Sequence, residues 1–379
     1  MRRALVGGAV VALVLTFGIA PADAWDRGRT EIFAVVPDLP GHVPVSIEGL
    51  TVGPDGTVYT PSFGFNSSGE VTQSPHLFSF KPNGVLLHDV ALVNTASTPQ
   101  PSPHLLGLVF QASTGSLLIC DLAQGIVWKA DPATGKSSVF MDTKLGGMSG
   151  LNALTFDPMG NVYVSDSFQG VIWKTGPHGG TPTMFVDSPT LSPQAGPGVT
   201  LIPPFGANGV EFNNKFSVMY VANTAYHSIV KVPVHLNHDG SVSLTGSAEV
   251  LTTGVNAPDG LAVDSRDNLW VVANQEDEID VIDPNAIDAL GKPLAKVIAK
   301  RGDFDGLGKD GTIQGLLFPA SPAFSADKKF LYVSNIALYL PFAGVPEPAI
   351  DSPWTLEVKH YTIAKIRAVI PPLSDQDEQ

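Results

Sequence analysis

Short apolar runs alternate with tight polar turns along most of the chain, and the order run, turn, run recurs. The clearest copy is Asn152-Ala-Leu-Thr-Phe-Asp-Pro-Met-Gly-Asn-Val-Tyr-Val-Ser-Asp166. A second is Asp259-Gly-Leu-Ala-Val-Asp-Ser-Arg-Asp-Asn-Leu-Trp-Val-Val-Ala-Asn274, and a third runs from Asn208-Gly-Val-Glu-Phe to Met-Tyr-Val-Ala-Asn223. Weaker copies begin at Glu48-Gly-Leu-Thr-Val, Leu106-Gly-Leu-Val-Phe and Ser321-Pro-Ala-Phe. Each copy reads as a β-hairpin: β-branched and aromatic residues flank a turn built on Asp, Pro, Gly and Asn. The turns are Pro54-Asp55-Gly56, Asp157-Pro158-Met159-Gly160-Asn161 and Asp264-Ser265-Arg266-Asp267-Asn268.

A third strand follows most hairpins, such as Gly170–Lys174 or His227–Val232, and then a fourth, such as Thr183–Val186. The key positions 48, 106, 152, 208, 259 and 321 recur at a period of roughly 46 to 62 residues, which suits propeller blades with variable loops. The pattern therefore predicts an all-β fold, a six-bladed β-propeller of four-stranded antiparallel blades. The segment Thr30–Val36 is placed to pair with a strand near Tyr361–Ile366 and close the ring. An open β-solenoid would need shorter, more regular repeats.

Composition agrees with this. The chain has 38 Gly and 32 Pro among 379 residues, punctuation too dense for long helices. A 44% hydrophobic content supplies a large core, and 36 acidic against 22 basic residues give a net charge of −14. With no basic stripe to replace counterions, a nucleic-acid partner is excluded. The single cysteine, Cys120, rules out an internal disulfide and a cysteine zinc site.

Residues 1–24 read as a signal peptide. Arg2 and Arg3 precede the apolar stretch Ala4–Ala20, and Ala22-Asp23-Ala24 fits a small–x–small cleavage site. Residues 25–372 then form the propeller and 373–379 an acidic tail. No later stretch is long and apolar enough to span a bilayer, so the expected protein is an exported monomer, periplasmic or secreted.

Hairpin geometry sorts the polar residues. Glu48, Asn152, Asn208 and Asp259 open first strands, which line the axis of a propeller, so they converge on one mouth of the channel. Asp121, Asp166, Asn223, Asn274 and Asn335 close second strands and form a wider tier, whose ordinary task is to satisfy backbone groups. Asp55, Asp157 and Asp264 belong to turns at the opposite rim. Two carboxylates and two amides on one axis repel unless a cation joins them, and an all-oxygen set favours one divalent ion, calcium above zinc or copper.

On Ile47-Glu48-Gly49, Leu151-Asn152, Ala207-Asn208-Gly209 and Pro258-Asp259-Gly260, in order and in register, the chain resembles the SMP-30/gluconolactonase/LRE-like family, with distant kinship to paraoxonases and strictosidine-synthase-like proteins. The resemblance implies a divalent metal on Glu48, Asn208 and Asp259, with Asn152 contacting metal or substrate. It implies hydrolysis of a lactone or ester, with Asp259 as candidate general base. Paraoxonases carry a catalytic histidine where this repeat has Leu106, and His104 stands two residues upstream. His227 is a further candidate, because imidazole titrates near neutral pH.

Departures from the family redirect the substrate. Sugar-lactone enzymes tend to carry Arg where this chain has Gly150, and the second calcium of paraoxonases has no carboxylate at Gly49 or Ala153. The apolar connections Ser188–Ala207 and Ile336–Trp354, with Phe63 and Phe65, open on the site face. Together these features favour a lactone or ester more apolar than a sugar lactone. The competing reading is a non-catalytic NHL-like propeller that binds a small ligand or peptide.

Overall fold

The computed structural model describes residues 25–41, 43–65, 74–97, 99–200, 204–339, 341 and 352–371. The expected leader over 1–24 and the acidic tail over 373–379 lie outside the described residues. Among those described, the regular structure is almost wholly β, with one short α-helix, Ser352–Thr355, and three 3₁₀ turns. No helix of the described residues is long and apolar enough to cross a membrane.

Every hairpin read from the sequence extends into an antiparallel meander. Leu151–Phe156, Val162–Asp166, Val171–Gly176 and Gly179–Asp187 pair in sequence order. The turn between the first two is fixed by Asp157. Its carboxylate accepts from the Asn161 backbone N–H at 2.9 Å, the Asn161 amide at 2.8 Å and the Tyr163 hydroxyl at 2.9 Å. Asp264 does the same for Asn268 and the Trp270 indole, so the turn acids are structural as expected.

The same meander starts at Thr51, Leu105, Ala207 and Pro258. The last joins the two ends of the described chain: Pro319–Phe324, Phe330–Asn335 and Thr362–Arg367 are completed by Thr30–Val35. That closure is the one the pattern predicted.

Hydrogen bonding does not divide the chain into uniform four-stranded sheets. A single parallel bridge, Met141 to Gly180, fuses two meanders into one nine-stranded sheet. The fusion rests on Gly179, where a Cβ would lie 2.1 Å from the Phe140 carbonyl oxygen. Val242–Leu244 adds a fifth strand to the meander that begins at Ala207. The connection Ser188–Ala207 also carries its own short hairpin, Gln194–Gly196 with Val199–Thr200, where an unstructured loop was expected.

The first strands neighbour one another in cyclic order and return to the start. Glycines permit the approach. A Cβ on Gly49 would sit 2.1 Å from the Leu106 carbonyl oxygen, one on Gly107 2.5 Å from that of Asn152, and one on Gly209 2.5 Å from that of Asp259. The glycine after the key residue therefore lets one first strand lie against the key residue of the next. Apolar side chains fill the wedges between meanders. Tyr59 and Leu77 pack against Leu117 and Trp128, Tyr163 and Ile172 against Val210 and Val221, and Phe78 and Val58 against Tyr332 and Ile363. Cys120 is free and buried in one such wedge.

Candidate functional site

A bulge aims the key residues inward. Leu151 pairs with Asp166 and Leu154 with Val164, so Asn152 and Ala153 together face Ser165. Equivalent shifts occur after Ala207, Pro258, Leu105 and Pro319. An extra residue of this kind kinks the strand and redirects a side chain. Hydroxyls opposite the bulges hold the disturbed backbone: Ser165 Oγ accepts from Ala153 N at 3.0 Å, and Thr60 Oγ1 donates to the Gly49 carbonyl at 2.7 Å.

This register corrects two sequence expectations by one residue. Pro319 pairs with Asn335, as Leu151 does with Asp166, so the sixth key position is Ala320 rather than Ser321. Pro258 pairs with Ala273, so Asn274 stands one step beyond the tier of Asp121, Asp166, Asn223 and Asn335. It occupies the place of Ser167 and Thr224. Equal turn lengths after Asp157 and Asp264 carried that signal.

Glu48, Asn152, Asn208 and Asp259 line one cavity of about 70 Å³. All four are buried. The residue one step past the second strand braces three of them, Asn152, Asn208 and Asp259. Asn152 Nδ2 donates to Ser167 Oγ at 3.2 Å, and Ser167 donates on to the Ala207 carbonyl at 2.8 Å. Asn208 Nδ2 donates to Thr224 Oγ1 at 2.9 Å, which donates to the Pro258 carbonyl at 2.7 Å. Asn274 Nδ2 donates to Asp259 Oδ2 at 3.1 Å and to the Pro319 carbonyl at 2.9 Å. Each brace ties one key side chain to the start of the next first strand.

Three oxygens are left over. Glu48 Oε2, Asn208 Oδ1 and Asp259 Oδ1 are buried without any hydrogen-bond partner. Unpaired buried oxygens are costly, and two of these belong to carboxylates. Burial, and next the charge of Asp259, push the Glu48 carboxyl well above its ordinary value. Burial likewise pushes Asp259 up to about 7, opposed by its polar neighbours Asn208, Asn274 and Gly260 N. Among the described residues no group of three or more His, Cys, Asp or Glu stands in ligand array, so any ion here must take amide oxygens.

Apart from Gln275, the rest of the wall is apolar: Phe63, Leu106, Leu122, Phe205, Phe318, Ile336 and Leu338. Phe63, Leu122 and Ile336 hold the brace position in the meanders that present no brace. Phe318 keeps its place with a positive φ of 44°, unusual for a bulky side chain.

Neither His104 nor His227 lines this cavity. His104 Nδ1 lies 3.1 Å from the Phe63 carbonyl, and its ring stacks on Phe65. His227 Nδ1 accepts the Ala257 N–H at 2.9 Å, so that lone pair is engaged by the backbone. The wider tier is satisfied internally, as expected: Asp166 accepts from Gly150 N at 2.9 Å, Gln169 N at 3.0 Å and the Trp173 indole at 3.0 Å.

The sequence signature of the SMP-30/Gluconolactonase/LRE-like region matches residues 83–295, more than half of the chain. The chain belongs to the SMP-30/Gluconolactonase/LRE-like family. No curated protein matches it in sequence. Among solved structures it is similar to a luciferin-regenerating enzyme, with 14% identity, 88% of this chain and 95% of that chain covered, and a TM-score of 0.56. It is similar to the calcium-binding protein regucalcin from Agrobacterium tumefaciens, with 16% identity, coverages of 90% and 98%, and a TM-score of 0.52. A streptogramin B lyase matches at 15% identity, coverages of 91% and 99%, and a TM-score of 0.52. At such identities these three share the fold, and one fold hosts several chemistries.

Proposed function

We propose that this family member is an exported six-bladed β-propeller that hydrolyses a lactone or ester with the help of one divalent cation, calcium by the nature of its donors. The cyclic order of first strands and the wedge-like cores support the blade count. The observation that carries the site is that three buried, unpartnered oxygens, from Glu48, Asn208 and Asp259, belong to residues lining one cavity. The set is all oxygen, with two carboxylates to balance a divalent charge and amides that calcium accepts. Glu48, Asn208, Asp259 and Asn152 would hold the ion. Such an ion supplies electrostatic stabilisation of the charge that develops on an acyl oxygen.

The residues supply the remaining steps. Ser167, Thr224 and Asn274 orient the ligand set. The apolar wall excludes bulk water and receives a hydrocarbon substrate. Asp259 is the proposed general base: its carboxylate takes a proton from water as the water oxygen bonds to the acyl carbon. The proton then passes to the alkoxide as the acyl–oxygen bond breaks.

The test is a panel of alkyl lactones, aryl esters and gluconolactone with purified protein, with and without chelator. The expected result is calcium-dependent turnover that favours the apolar substrates. Faster turnover of gluconolactone would reject the apolar reading. Turnover of none, with calcium still bound, would support the propeller as a binding protein instead.

A further inference from the structure

The cavity wall divides into three groups. Seven side chains are apolar; Glu48, Asn152, Asn208 and Asp259 form the ligand set; Thr224 and Asn274 are braces. One lining residue belongs to none of these. Gln275 is half-buried, and among the described residues no hydrogen bond engages its side-chain amide. Among the described residues the wall contains no Lys, Arg or His.

Its mounting is rigid. Gln275 is the middle residue of the 3₁₀ turn Asn274–Glu276, held on one side by the Asn274 bonds to Asp259 and Pro319. On the other side Asp277 adopts a left-handed conformation at φ 53°, and its carboxylate accepts the Phe318 N–H. The backbone that carries Gln275 is thus held next to the Asn274–Asp259 pair, and its side chain lines the same cavity as the four polar residues and the apolar wall.

We infer that Gln275 is a specificity-determining residue, which hydrogen-bonds a neutral polar substituent on an otherwise apolar lactone or ester. An amide matches a neutral donor or acceptor such as a hydroxyl, ketone or amide. With the charge of the ion balanced by Glu48 and Asp259, a carboxylate or phosphate substituent beside Gln275 would meet no cationic side chain. A purely hydrocarbon substrate would bury the Gln275 amide without a partner, and a site built to hydrogen-bond discriminates against such an analogue.

This inference rests on the hydrolase reading, and its test separates the two. Two substrates are compared: a γ-alkyl butyrolactone, and a matched analogue in which an amide replaces part of the chain. The wild type should prefer the amide analogue. Gln275→Met, similar in size but without the amide, should lose about tenfold of that preference, chiefly in KM. Calcium affinity and thermal stability should stay unchanged, and turnover of the plain lactone should hold or rise. Equal loss on both substrates, or an intact preference in the variant, would overturn the assignment while leaving the hydrolase reading standing. Wild-type protein that binds calcium but hydrolyses neither substrate would remove both.

Discussion

Asn274 Nδ2 lies 3.1 Å from Asp259 Oδ2, and the same nitrogen reaches the Pro319 carbonyl at 2.9 Å. One amide thus fixes an acid of the cavity and the entry to the next first strand. With Oδ2 engaged, Asp259 turns its unpartnered Oδ1 to the shared space.

Replacing Asn274 with Ala releases Asp259 and strips the Pro319 carbonyl of a buried donor. Calcium affinity should fall by about 10- to 100-fold, in line with the loss of other ligand-orienting partners. Calorimetric titration of the variant checks this, and an unchanged dissociation constant would remove Asn274 from the account.

The repeat was legible because hairpins are local. Alternating apolar residues around Asp-x-x-x-Asn turns located the strands, and the four in-register polar residues 48, 152, 208 and 259 do line one cavity. What escaped was the bulge, because its extra residue is set by pairing across strands. The one-residue placements are separate: equal turns put Ala273, not Asn274, beside Asp166, and Ala320 takes the place expected of Ser321 through the pairing of Pro319 with Asn335. Part of the apolar wall was legible too: Phe63, Phe205, Ile336 and Leu338 come from the apolar connections expected on the site face. Leu122 was not, and only the register shows that Phe63, Leu122 and Ile336 stand where Ser167 and Thr224 stand. The ion pairs of Arg27 and Lys300 with Glu278 join residues distant in sequence, with no local signature.

Close approach of the first strands has its own test. Gly49 has an ordinary φ, yet a Cβ there would meet the Leu106 carbonyl oxygen at 2.1 Å, backbone against backbone. Gly49→Ala should cost about 3 kcal/mol by urea unfolding, the upper range for overpacking. Gly176 has nothing within 4 Å of the same position, so Gly176→Ala should be neutral or slightly stabilising. Equal effects would contradict the packing described here.

Asp280 gives a stability signature in pH. Burial pushes its carboxyl up to about 7 from an ordinary value of 3.8; Lys300 opposes the rise, and Glu278 and Glu276 add to it. The folded state therefore holds a proton between those values that the unfolded chain has released. The contribution to stability is full below the unfolded value and is lost as pH rises through the folded one. Asp280→Asn stays neutral throughout, and Lys300 keeps Glu278 and Glu276 as partners. Its melting temperature relative to wild type should be about 2–4 °C more favourable at pH 8 than at pH 5. A difference independent of pH would mean that Asp280 does not titrate in this window.

The central claim is that Glu48, Asn208 and Asp259 share one cation. Calorimetric titration of calcium into chelator-treated protein, wild type beside Glu48→Gln, tests it most directly. The account predicts one site per chain in the wild type and affinity at least about 100-fold weaker in the variant, which loses a charged ligand from a two-carboxylate set. No binding by the wild type, or equal binding by both proteins, would contradict it.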